Sequence, residues 1–143
     1  MPNRSGLVTT LNAAEVYIIA GPIIVTGFAD GSFVKITRNE DTYTLVVGTD
    51  GESCRSMTNN RSGTIEFTLG QWSSCNSQFS ALLNTDEKTG DGIIPVMVKY
   101  KMSVYAAEKA WVKKPADQEY SREAGSRVWT LETGFLTMVD GVM

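Results

Sequence analysis

The chain contains no histidine. That removes the commonest general base near neutral pH, and with it the Ser-His-Asp and Cys-His nucleophile arrangements and most zinc sites. Two cysteines, Cys54 and Cys75, make no disulfide framework, and without histidine they make no closed zinc site. They are expected to be free, partly buried thiols. No Gly-rich loop leads into Lys-Ser or Lys-Thr, so a phosphate cradle of that kind is missing. The most apolar run, Val16 to Val25, is broken by Gly21-Pro22 and is shorter than the roughly 20 residues of a bilayer-spanning helix. Met1 to Gly6 lacks the layout of a secretory leader. The expectation is a chain made and kept inside a cell, or leaving it only within a larger particle, with no membrane insertion. The net charge of -3 leaves no basic excess with which to displace counterions from nucleic acid.

The 143 residues, 42% of them hydrophobic, suit one domain with one core and no need of a metal or cofactor to fold. The carboxylates group at Glu40-Asp41, Asp50-Gly51-Glu52 and Asp86-Glu87 with Asp91. Each group sits beside Gly or Asn in an expected turn, where a solvated role outweighs catalysis, and none has calcium-loop spacing. No catalytic, cofactor-binding or metal-binding residue is assigned. Lys99, Lys101, Lys109 and Lys113-Lys114 form the densest basic stretch, read as a solvated strand face with an interface role as the alternative. Trp72, Trp111 and Trp129 are expected in the core, with Trp72 fastening a helix to a sheet.

Residues 1–14 form a polar arm, expected to order on assembly, and 15–143 a single β-domain. Strands are expected at Val16 to Ala20, Ile23 to Phe28, Phe33 to Arg38, Tyr43 to Val47 and Ser53 to Met57, with Thr58 to Gly63 as a polar tip. In Thr64 to Leu69, Ile65, Phe67 and Leu69 alternate with Thr64, Glu66 and Thr68, the pattern of a half-buried strand. Cys75, Phe79, Leu82 and Leu83 lie on one stripe of a helix over about residues 74–88, capped by Ser73 or Ser74 and ended by Gly90. Ile93 to Tyr100 follows, with Pro95 suggesting an edge or a bulge. Met102 to Ala107, Ala110 to Lys113 and Arg127 to Met138 complete the strands, the last with Gly134 as a bulge. The fold class is mainly β: a β-sandwich or barrel with one flanking helix.

Four segments carry a family likeness. They are Gly27 to Phe33 with Arg38 to Asp41; Gly48 to Glu52 with Arg55-Ser56 and Asn60 to Thr64; Asn76, Ser80 to Leu82 and Asp86-Glu87; and Ala107 to Trp111, Lys114 to Asp117 and Arg122 to Gly125 before Trp129. In this order, from about Tyr17 to Met138, they resemble the tail tube proteins of contractile-tailed bacteriophages. The resemblance implies hexameric rings whose inner sheets join into one barrel. It implies that the rings stack into a hollow tube inside a contractile sheath. Its partners would be copies of itself, the sheath, the baseplate and the tail terminator, with tape-measure protein and DNA held in the lumen without specific binding. It would be assembled in the host cytoplasm and end in the virion tail. The long polar segment Thr49 to Gly63 is expected to reach the adjacent ring, with Asp50, Glu52, Arg55 and Arg61 pairing across subunits. The alternatives are the tube of a secretion or contractile-injection system, and a carbohydrate-binding β-sandwich, which needs Trp111 or Trp129 exposed.

Overall fold

A computed structural model describes residues 16–28, 34–100 and 102–141. The polar arm and Lys101 lie outside them. The elements run β1 (Tyr17–Ala20), β2 (Ile23–Ile24), β3 (Val34–Arg38), β4 (Tyr43–Val47), β5 (Ser53–Met57), β6 (Gly63–Gly70), α1 (Cys75–Thr89), β7 (Ile94–Tyr100), β8 (Ser103–Lys114), β9 (Ser126–Thr133) and β10 (Thr137–Val139). The expected mainly-β fold with one flanking helix is what forms.

Eight strands make one antiparallel sheet in the order β2-β1-β7-β8-β9-β6-β3, with β10 also on β8. Among the described residues the remaining two, β4 and β5, pair only with each other. β8 is the shared strand. Its first half pairs with β7 on one side and β10 on the other, and its second half pairs with β9. The period-2 pattern of β6 fixes which face turns inward: Ile65, Phe67 and Leu69 are buried, while Thr64, Glu66 and Thr68 stand on the other face. Ile18, Val96 and Val98 from the far half of the sheet join the same core as Phe67, Trp129 and Leu131.

The helix closes this core with Cys75, Phe79 and Leu83. Phe79 stacks 6.0 Å from Phe67 and lies 5.7 Å from Trp129, both ring-centroid distances. Trp129 Nε1 donates to Asn76 Oδ1 at 2.9 Å, so the buried indole is satisfied. At the helix start, Ser74 occupies the cap position without a side-chain bond; Ser73 Oγ instead accepts from Cys75 N at 3.3 Å. Gly90 ends the helix with φ 76°, a left-handed geometry that costs a residue with a Cβ roughly 1 kcal/mol, and its N–H bonds Asp86 O.

Pro95, read as an edge or a bulge, is at a bulge: β7 lies between β1 and β8, and the register shifts between Ile94 and Val96. Three expectations change. The two weak strands after Met102 are one twelve-residue strand, because each half finds a different partner. Arg127 to Met138 is two strands, and beyond Thr133 the chain turns to reach the first half of β8. Cys75 is buried as expected for a core thiol, but Cys54 is exposed.

Phe79→Ala should lower unfolding free energy by about 3–5 kcal/mol, from lost transfer energy and the cavity left between Phe67 and Trp129. Urea denaturation of the dissociated protein measures it; a loss under about 1 kcal/mol would mean that the helix does not close the core.

Candidate assembly surfaces

β3 and β6 pair from Val34↔Phe67 to Arg38↔Gly63. Beyond that pair the two strands continue outward as β4 and β5. The neck between the two ladders is held by short polar side chains. Asn39 N donates to Ser62 O and Asn39 Nδ2 to Ser62 Oγ, both at 3.0 Å; Thr64 Oγ1 donates to Asn39 Oδ1 at 3.1 Å; Ser62 N donates to Asn60 Oδ1 at 3.0 Å. Thr58 N then bonds Thr42 O at 2.9 Å and restarts the ladder. Asn, Ser and Thr suit this role because their side chains replace backbone partners where a ladder breaks. Thr58 to Gly63 is therefore the neck of a hairpin and not a tip.

The true tip is Gly48 to Glu52. Gly48 N donates to Glu52 O at 2.7 Å, Gly51 N to Gly48 O at 3.1 Å, and Glu52 N to Asp50 Oδ1 at 3.2 Å. Every residue of β4 and β5 is exposed. Tyr43, Leu45 and Val47 share one face with Ser53, Arg55 and Met57; Val46 and Cys54 share the other. Leu45 is 66% exposed, and Val46 and Val47 are each 59% exposed. A two-stranded ribbon is marginal on its own in water, and contiguous apolar exposure of this kind marks an interaction surface.

The four residues singled out from the sequence separate into two groups. Asp50 and Glu52 are at the tip, and Arg55 lies on the ribbon with its guanidinium 4.2 Å from the centre of the Tyr43 ring. Arg61 sits at the neck, 5.9 Å from the centre of the Phe135 ring, where its carbonyl accepts from Leu136 N. What sequence reasoning missed is the apolar content of the hairpin. The signal was present: Leu45-Val46-Val47 is apolar on both strand faces, yet lies among turn residues.

Two further features complete the surface. An open, mostly apolar groove of about 840 Å³ is lined by Ile19, Pro95, Met97, Trp111 and Phe135, with Glu108 and Lys109 as its charges. Trp72, expected in the core, is instead 64% exposed. Trp129 is buried and Trp111 half-buried, so neither offers the open ring that a carbohydrate platform requires. Among the described residues, no three His, Cys, Asp or Glu side chains are grouped to hold a metal ion. An exposed ribbon beside a β-body that packs its own core is the outline of an assembly subunit.

The comparisons give that class a family. The sequence model described as "Bacteriophage PhiTE tail tube protein" matches residues 16–141, and the chain belongs to this family of phage tail tube proteins. "Structural protein ORF10" of Pseudomonas phage KPP10 is 26% identical over 121 residues, spanning 82% of this chain and 70% of the relative. Among solved structures, the sheath/tube terminator of an extracellular contractile injection system, PVC, superposes with a TM-score of 0.67 at 10% identity, over 94% of this chain and 100% of the other. The anti-feeding prophage tube-terminating cap gives 0.66 at 12% identity over 95% of both chains. A chain of the PVC sheath–tube complex gives 0.62 at 11% identity over 93% of both. These structures share the fold. The family makes this chain a structural protein of the phage tail tube, a virion component and not an enzyme.

Leu45→Ser with Val47→Ser should change the unfolding free energy of the dissociated protein by no more than about 0.5 kcal/mol, since surface substitutions lose little packing. Urea titration checks this; a loss above about 2 kcal/mol would show that the ribbon packs on its own body.

Proposed function

We propose that six copies close into a ring, that rings stack into the hollow inner tube of a contractile tail, and that the genome passes through the lumen during ejection. The observation that carries this reading is the β4–β5 ribbon, apolar on the outside and without a partner among the described residues. A second copy supplies the missing partner. Among the same residues β3 ends the sheet order, so its outer edge is open, and ring closure through such edges would remove the aggregation hazard an open β-protein carries. Head-to-tail stacking is a heterologous contact and propagates without limit, as a tube requires.

In this reading the segment from Thr49 to Gly63 reaches the adjacent ring, and Asp50, Glu52 and Arg55 pair there across subunits. Arg61, at the neck, meets its partner closer to its own ring. A sheath surrounds the tube, a baseplate and a terminator close its ends, and tape-measure protein and then DNA occupy the lumen without specific binding. Assembly takes place in the host cytoplasm. The net charge of -3 suits a conduit, because a basic wall would hold DNA by its phosphates.

Negative-stain electron microscopy of the purified protein tests the reading. Rings or tubes with a central hole are expected. Isolated small particles at high protein concentration would contradict it. Arg55→Glu should reduce tube length at unchanged monomer stability; tubes of normal length would remove Arg55 from the contact.

A further inference from the structure

Stacking in one direction requires the surface at one pole of the protomer to fit the surface at the other. The ribbon leaves the body where β6 begins, at Gly63. β6 then runs eight residues to Gly70, on the order of 23 Å at about 3.3 Å per residue. The far pole is therefore the end at Gly70, where β6 pairs with Ser126 at the start of β9.

Two large aromatic side chains stand in solvent there. Trp72 is 64% exposed, and its ring lies against Gly70 where a Cβ would otherwise stand. Tyr120 is 79% exposed. Neither sits on loose chain. Gln71 N donates to Gly125 O, and Gly125 N to Gln71 Oε1, both at 3.0 Å, so the loop before β9 is clasped to the residue beside Trp72.

Arg127 fixes the rest of that loop from beneath. It is buried, and its bonds go to neutral oxygens: Nε to Gln118 Oε1 at 3.0 Å, Nη1 to Ser126 O at 3.1 Å and Nη2 to Glu119 O at 3.2 Å. Its guanidinium lies 5.4 Å from the centre of the Tyr120 ring. A buried arginine spent on loop carbonyls holds a loop in one shape. Exposed aromatics on a fixed frame are the usual anchors of a protein interface, since they bury large area at little ordering cost.

We propose that the β4–β5 ribbon of one copy docks on this pole of a copy in the next ring. Leu45 and Val47 cover Trp72 and Tyr120, and Asp50 and Glu52 approach Arg122 and Lys114. The carboxylates of Asp117, Glu119 and Glu123 at the same pole face Arg55. The proposal rests on the stacked-tube reading above. The apolar groove is the competing receptor, but it is lined by Thr133 and Phe135, at the ribbon's own pole, so it faces away from a copy stacked in the same direction.

Cross-linking tests this in tubes. Cys54 lies on the ribbon face opposite Leu45 and Val47, so it is changed to serine throughout; Ser53→Cys, paired with Val47 on the docking face, supplies the ribbon thiol, and Cys75 is buried and out of reach. Ser121→Cys places a second thiol beside Tyr120. Mild oxidation of tubes carrying Ser53→Cys and Ser121→Cys should give a ladder of disulfide-linked chains on a non-reducing gel, and Ser121→Cys without Ser53→Cys should give none. Glu123→Cys serves as the second position. Tubes that form but cross-link at neither position overturn the docking and leave the tube reading standing, as do tubes that cross-link from Phe135→Cys in the groove instead. If the unmodified protein forms no tubes or rings, both fail. Trp72→Ala with Tyr120→Ala should raise the protein concentration needed for tubes at least tenfold while rings persist; unchanged tube formation would remove the aromatics from the contact.

Discussion

An antiparallel ribbon two strands wide has two open edges and two wet faces, and none of the described residues covers them. That condition at Tyr43 to Met57 governs the rest of the molecule. Backbone pairing keeps the ribbon extended, but exposed Leu45, Val46 and Val47 give it no net reason to stay there in water alone. The body compensates by being complete. Its core joins residues from both halves of the sheet and from the helix, so stability does not depend on the ribbon.

The neck shows how the division is made. The β3–β6 ladder stops at Arg38↔Gly63, and Asn39, Thr58, Asn60 and Ser62 carry the hydrogen bonding across the break. Each of these side chains is short and polar, so the junction is bonded without being packed. The opposite pole is built the other way. Arg127 and the Gln71–Gly125 clasp freeze a loop whose aromatic tips remain outside. One end of the protomer projects and the other is rigid and receptive, which is the asymmetry that directional stacking requires.

Much of the body was legible in the sequence. Alternation in Thr64 to Leu69 identified β6, and the Cys75, Phe79, Leu83 stripe identified the helix, because each pattern reports burial by the chain's own residues. Tyr43 to Val47 was recognisable as a strand from its aromatic and β-branched residues, and Ser53 to Met57 from its place after the Thr49 to Glu52 turn. Their separation from the main sheet was not, since a strand's propensity says nothing about its partner. Pro95 illustrates a choice that a local rule leaves open: an edge and a bulge both suited it, and the register shift in β7 shows the bulge. Trp72 looked like core because tryptophan usually is; it stands in solvent instead, with one part of its ring against Gly70. The ribbon and the aromatic pole become legible only as a pair, because in the proposed stack each is covered by a second copy and neither leaves a burial pattern of its own.

The central claim is that the β4–β5 ribbon is bare in the free protomer and covered in the assembled tube. Amide hydrogen exchange over Tyr43 to Met57, compared between dissociated protein and tubes, tests it most directly. The account predicts rapid exchange in the dissociated protein and protection increased by at least tenfold in tubes, while β6 and β9 are protected in both. Equal exchange of the ribbon in the two states would contradict it.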